Sequence, residues 1–299
     1  MPASFLPIVG ALLFMILSYL ALHFYLAYSS LHMTPVETGQ TPRDYGIDFK
    51  KFRTVTNDKY KLAGWYMVNE TKNKGTVVLL HNLGACKRKL LPYARFLYSA
   101  GYNVALFDFR SHGESDKYLP FWDIIASGDS DLMAVVNDIK NTEWFKKTNR
   151  NIGLMGFSMG TIPAISMTGR IPEIKAVVVD CGPFVSLSKI FSNMLARTIR
   201  YHKLLIPFVY VSFIRFMLNR NEDCIKKSVS NISPKAVFFI HGEKDFIVPP
   251  SETKILYDEY ARQPKEYWLV PGSYHLTAHS LYPDEYRDRV LNFFSRHLP

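Results

Sequence analysis

Short apolar runs recur along the chain, separated by segments with helical spacing. Residues 76–80, 103–107, 151–155, 176–179 and 236–240 are almost wholly apolar. That is the pattern of strands covered on both faces. Upstream, residues 48–56 and 61–68 alternate around Asn57-Asp58, which predicts a hairpin. Residues 266–270 predict a last strand. Helical spacing marks 90–100, closed by Gly101 as a C-cap, and 130–141, with Asp131 near its start. It marks also the segment opening at Thr161, then 251–260 and 284–294. Strands and helices that alternate in this way predict an α/β fold, a mostly parallel sheet with helices on both faces.

The N-terminal pattern is different. Between residues 5 and 28 there is no Lys, Arg, Asp or Glu. At a rise of about 1.5 Å per residue this length crosses a hydrocarbon layer of about 30 Å. Residues 1–30 are therefore expected to be an N-terminal transmembrane helix, an uncleaved anchor. A signal peptide would carry a basic region before its core, and this chain has none there. Residues 31–47, with Pro35, Gly39 and Pro42, read as a linker, and 48–299 as the α/β domain. Arg43, Lys50, Lys51 and Arg53 follow the anchor, so the positive-inside tendency predicts a single-pass protein with its domain in the cytoplasm.

A cap insertion is expected over about 184–232. From 184 to 221 it is apolar, and its charges are all basic: Lys189, Arg197, Arg200, Lys203, Arg215 and Arg220. A helical lid with solvated basic residues satisfies that pattern, and so does contact with anionic headgroups. The net charge of +10 over 299 residues points the same way. No nucleic-acid module, zinc spacing or Gly-rich phosphate fingerprint is present, so neither nucleic acid, metal nor organic cofactor is expected. Three scattered cysteines, Cys86, Cys181 and Cys224, argue against a disulfide framework.

The candidate chemistry centres on Gly156-Phe157-Ser158-Met159-Gly160, placed between an apolar strand and a helix. That is the nucleophile-elbow pattern, in which side chains at the two glycines would strike backbone. A serine hydroxyl needs a base, and the base an orienting acid. In this architecture both belong just past later strands. Asp245 follows the strand at 236–240, and His275 follows the strand at 266–270. Asp180 is an alternative acid and His279 an alternative base. His81, His112 and His241 are expected to organise loops, and Glu243 to be a surface or loop residue. The oxyanion donors are expected to be the backbone amides of Met159 and Leu83.

With those residues in place, the chain from about Asp48 onward resembles the α/β-hydrolase superfamily. Asp108-Phe109-Arg110-Ser111-His112-Gly113-Glu114-Ser115 resembles the loop after the family's fourth strand. Tyr45-Gly46-Ile47 and Asp180-Cys181-Gly182-Pro183-Phe184 resemble segments of membrane-anchored bacterial hydrolases of serine aminopeptidase-like or esterase-like type. One position departs: the family usually has His-Gly at the oxyanion loop, and here it is His81-Asn82. Asn accepts left-handed backbone readily, which would preserve the loop. The resemblance implies a serine hydrolase acting through an acyl-enzyme on a small acyl ester or lipid-like substrate. Peptide or thioester cleavage by the same triad is the enzymatic alternative. A binding or scaffold role on the fold is the non-enzymatic one.

Overall fold

The computed structural model describes residues 6–31, 39–72, 74–117, 127–147, 149–186 and 222–298. Its strands are β1 Lys50–Val55, β2 Lys61–Met67, β3 Thr76–Leu80, β4 Asn103–Phe107, β5 Ile152–Phe157, β6 Ile174–Asp180, β7 Ala236–Gly242 and β8 Lys265–Val270. They form one sheet in the order β1-β2-β4-β3-β5-β6-β7-β8. β1, β2 and β4 pair antiparallel, and every pairing from β4 to β8 is parallel. The expected hairpin closes where the Thr56 N–H donates to Tyr60 O at 2.9 Å.

The apolar runs are explained by two cores. Along β3, Val78 and Leu80 belong to one core, Val77 and Leu79 to the other. Neighbours on a strand point to opposite faces, so a sheet covered twice needs apolar residues at every position.

The α-helices of six or more residues among the described residues are, in chain order, α1 Leu6–Leu31, α2 Leu91–Ser99, α3 Gly128–Asn141, α4 Thr161–Thr168, α5 Glu222–Ser230, α6 Pro250–Ile255 and α7 Pro283–His297. On one face, α3 contributes Leu132, Val135, Val136 and Ile139, α4 Ala164 and Ile165, and α5 Ile225 and Val229. On the other, α2 contributes Leu91, Ala94 and Leu97, and α7 Tyr286, Val290, Phe293 and Phe294. These spacings of three and four residues are the buried stripe of an amphipathic helix.

Two expected boundaries differ. The linker read over 31–47 ends early: Pro42–Tyr45 forms a 3₁₀ turn, and Ile47 is buried in the core beside Trp65. At the other end of the expected cap, α5 and Ile232 pack into the α4 side of the core, so 222–232 belong to the helical layer. Residues 187–221, with the basic residues of the expected cap, lie outside the described residues.

Among the described residues, no helix is long and apolar enough to cross a membrane. The α1 backbone runs for 26 residues. Its side chains are described only over 9–21, short of the roughly 20 residues that a span requires. Within that stretch Leu13, Phe14, Ile16 and Leu17 are all exposed.

Candidate active site

β5 delivers Ser158 to the carboxyl edge of the sheet. The turn is tight enough to force Ser158 into left-handed backbone, φ 49°, which a residue with a Cβ avoids. Its two glycines are required by contact. A Cβ on Gly156 would lie 2.6 Å from Gly160 O, and one on Gly160 would lie 2.4 Å from Leu80 O and 2.8 Å from His81 O. The elbow is therefore pressed against the end of β3, where the expected oxyanion loop begins.

Asp245 and His275 converge on Ser158 from the ends of β7 and β8. His275 Nε2 lies 3.0 Å from Ser158 Oγ, and His275 Nδ1 lies 2.7 Å from Asp245 Oδ2. The tautomer that serves both contacts carries its proton on Nδ1 and accepts from the serine hydroxyl. Asp245 is buried, while the His275 side chain is 14 % exposed. Burial alone would raise the Asp245 carboxyl, but hydrogen bonds from His241 and His275 outweigh it and hold the group well below the usual carboxylate range. The amides of Ile247 and Val248 donate to its other oxygen at 2.9 and 3.0 Å. Asp245 is thus fixed as an anion facing the imidazole.

The alternatives are occupied elsewhere. Asp180 Oδ2 accepts from Tyr286 Oη at 2.7 Å, deep in the protein, where burial raises its pKa. His279 stacks among Tyr93, Phe96 and Tyr286, and burial lowers its pKa. Glu243 is an exposed loop residue whose carboxylate accepts from the Gly272 amide.

The other three candidate histidines, His81, His112 and His241, organise loops. His81 Nε2 accepts from the Phe109 amide at 3.0 Å, so its Nδ1–H donates to Asn82 O at 2.8 Å. His112 Nε2 accepts from the Gly84 amide at 3.2 Å, and its Nδ1–H donates to Arg110 O. His241 Nε2–H donates to Val248 O at 2.9 Å and faces Asp245 Oδ2 at 3.4 Å, while Thr253 Oγ1 sits 2.8 Å from Nδ1. Burial, and the neighbouring His112, push His81 well below the ordinary imidazole value, so it stays neutral.

The Leu83 amide is aimed by its own peptide plane. In a trans peptide the C=O and N–H point opposite ways. Asn82 O is held by His81 Nδ1–H and by the Ala85 N–H at 3.2 Å, and this sets the direction of the Leu83 N–H. Asn82 is not in left-handed backbone. That conformation falls on Gly84, φ 71°, and the Asn82 side chain donates to Leu83 O at 3.1 Å. Met159 follows Ser158 in the 3₁₀ turn that opens α4.

Two features were not read from the sequence. Lys87, at the end of the oxyanion loop, is buried against Asp108 at 2.5 Å and Glu114 at 3.1 Å, with its ammonium over the Trp65 ring. This clamps the loop after β3 to the loop after β4. The second is Cys181, whose Sγ accepts from the Leu276 amide, next to His275, at 3.2 Å. Beside the oxyanion loop lies a cleft of about 340 Å³ with Ala85, Leu90, Tyr93, Phe157 and Leu276 on its walls.

The family model described as serine aminopeptidase, S33, matches residues 71–211. The Pyrococcus furiosus esterase Pf2001 superposes with a TM-score of 0.73 at 27% identity, covering 89% of this chain and 99% of that one. The uncharacterized protein YqkD of Bacillus subtilis is 27% identical over 261 residues, 84% of this chain and 77% of that protein. The thermostable monoacylglycerol lipase of Bacillus sp. strain H-257 is 23% identical over 243 residues, 74% of this chain and 90% of the lipase. Sheet order, elbow and relatives together define an α/β-hydrolase fold. The matched family model and the similar structures support assigning the chain to the α/β-hydrolase superfamily.

Proposed function

We propose that the chain is a membrane-anchored serine hydrolase that cleaves carboxylic esters through an acyl-enzyme. The observation that carries the reading is a single imidazole, His275, between Ser158 Oγ at 3.0 Å and the Asp245 carboxylate at 2.7 Å. Ser158 Oγ attacks the acyl carbonyl as its proton passes to His275 Nε2. Asp245 stabilises the imidazolium, which then protonates the leaving alcohol. The developing oxyanion is received by the Leu83 and Met159 amides, each lowering the barrier by roughly 3 kcal/mol. Water repeats the cycle on the acyl-enzyme. Every step draws on protein groups and water.

The apolar walls of the cleft beside Asn82 favour an uncharged acyl or alcohol group. An esterase and a monoacylglycerol lipase among the similar proteins support small esters as the substrate class. The matched model's description, a serine aminopeptidase, motivates one rival, peptide cleavage. Anchoring is supported by the length of the α1 backbone and its exposed apolar side chains. A yeast relative described as a membrane protein, 24% identical over 258 residues, adds to this. The basic residues after α1 favour a cytoplasmic domain.

A fluorophosphonate probe should label the full chain at Ser158 and nowhere else. Short p-nitrophenyl esters should be hydrolysed, with aminopeptidase and acyl-CoA substrates run beside them. Ser158→Ala should lower ester kcat by on the order of 10⁶; unchanged turnover in that variant sinks the assignment. Extraction of the full chain from membranes by alkaline carbonate sinks the anchor alone.

A further inference from the structure

Cys181 has no part in the reaction above, yet it is built into the site. It follows β6, while Asp245 follows β7 and His275 follows β8, so three neighbouring strand ends each supply one residue. Cys181 Sγ, a ring nitrogen of His275 and a carboxylate oxygen of Asp245 all lie within 4.8 Å of one another. Cys181 is held at its backbone and at its sulfur. The Cys181 N–H donates to Ile240 O at 2.9 Å, and the Leu276 N–H donates to Sγ at 3.2 Å. Both Cys181 and Leu276 adopt left-handed backbone, φ 55° and 56°. Neither is glycine, and such strain is held only where the surroundings over-determine it.

We propose that Cys181, His275 and Asp245 form a binding site for a thiol-seeking divalent cation of the zinc and cadmium class, and that its occupation switches the hydrolase off. A thiolate, an imidazole and one carboxylate are a donor set for such ions and a poor one for magnesium or calcium. Bond lengths of about 2.0–2.3 Å place donor pairs roughly 3.3–3.6 Å apart. The Nδ1–Oδ2 pair opens from 2.7 Å by less than about 1 Å, and the sulfur closes from within 4.8 Å by up to about 1.5 Å, on side chains that end in loops. Among the three donors the charges balance: one thiolate and one carboxylate neutralise the dication, while the buried Asp180 carboxyl, which shares a hydrogen bond with Cys181, lies beside them. The thiol proton leaves to solvent. The imidazole proton moves from Nδ1 to Nε2, because Nδ1 now gives its lone pair to the metal. Nε2 then bears hydrogen and cannot accept the Ser158 proton. The exposed edge of His275 is the route in, since Cys181 and Asp245 are buried.

The site borrows two residues of the proposed triad, so its test needs a signal independent of turnover. Full-length protein in detergent, with the exposed Cys224 replaced by Ala, is titrated with cadmium chloride. Two readouts are taken, the ultraviolet sulfur-to-cadmium charge-transfer band and fluorophosphonate labelling. The band should rise and labelling fall over the same micromolar range, with zinc also inhibiting and magnesium without effect. Cys181→Ala in the same background should lose the band and shift half-inhibition at least tenfold upward. Inhibition with no band, a band with no inhibition, or an unshifted response in Cys181→Ala overturns the proposal. If Cys181→Ala fails to fold, the coincidence of band and inhibition in the parent decides. If the parent never labels, the hydrolase reading falls, and the band with its dependence on Cys181 still decides the metal site.

Discussion

Gly160→Ala should separate catalysis from folding in this protein. The added methyl would meet Leu80 O at 2.4 Å and His81 O at 2.8 Å, where real Cβ contacts essentially never fall below 3.0 Å. The shortfall at Leu80 is 0.6 Å at least. Both obstacles are backbone carbonyls at the end of β3, a strand paired on each side by β4 and β5, so neither swings aside as a flexible side chain would. The relief must come from the elbow and α4 moving off β3. That movement carries Ser158 and the Met159 amide away from Leu83, on the other wall. Overpacking of this kind costs about 1–3 kcal/mol of stability. A displacement near 1 Å at a reacting group costs about 10²-fold in rate. The expected outcome is a folded protein with a melting temperature lowered by several degrees, KM little changed and kcat down about a hundredfold. Gly10→Ala is the control, because a Cβ there meets nothing within 4 Å. Ester turnover against thermal melting is the assay. A Gly160→Ala enzyme with kcat within threefold of the parent would refute the claim that the elbow is braced on β3.

Three further outcomes follow from the same geometry. Asp245→Asn should lower kcat by about 10⁴ through loss of the Nδ1–H tautomer, whereas Asp180→Asn, which faces Tyr286, should cost less than tenfold; comparable losses would reinstate Asp180 as the acid. Lys87→Met leaves Asp108 buried without its cation and should cost about 3–5 kcal/mol in chemical denaturation, a loss under 1 kcal/mol arguing that the pair contributes little. The depressed His81 contributes stability that is full above its unfolded value near 6.5 and erodes as pH falls below it. Its share of the slope approaches about 1.4 kcal/mol per pH unit. The slope between pH 6.5 and 5 should flatten in His81→Gln, which keeps a donor and an acceptor, and an unchanged slope would assign the acid sensitivity to other groups.

How much was legible in the sequence depends on where the information lies. Ser158, Asp245 and His275 could be found because each lies at or within five residues past a strand end, and the continuous apolar runs locate the strands. The hairpin at Asn57-Asp58 and the helices were legible for the same reason, since periodicity reports which face is covered. Contacts between segments distant in the chain carry no such signal. Leu276 reaches Cys181 across 95 positions, and Tyr286 reaches Asp180 across 106. Lys87 begins Lys87-Arg88-Lys89, which looks like a solvated basic step, yet Lys87 is 1 % exposed. Its burial is decided by Asp108, brought beside it only because β4 lies next to β3. The cap boundary shifted for a related reason: α5 has its own apolar stripe, Ile225 and Val229, and nothing local tells whether such a stripe faces a cap or the core.

Asn82 stands where the resembled family usually has glycine, and two histidines shape the loop around it. A loop that presents the Leu83 N–H must control the peptide on each side of Leu83. The peptide before it is fixed at Asn82 O by His81 Nδ1–H. The peptide after it is fixed at the Gly84 N–H by His112 Nε2. Each histidine is locked in turn by the loop after β4, through the Phe109 amide and Arg110 O. Direction is therefore imposed mainly by the two histidines, with the Ala85 N–H also on Asn82 O and the Asn82 side chain adding one hydrogen bond to Leu83 O. The one left-handed position moves to Gly84. On this reasoning Asn82→Gly should leave turnover nearly unchanged, whereas His81→Leu, which cannot hold Asn82 O, should lose about 10²-fold in kcat through the freed Leu83 peptide. Ester kinetics on the two variants decide it: a large loss in Asn82→Gly, or full activity in His81→Leu, would show that the loop is shaped by its own backbone instead.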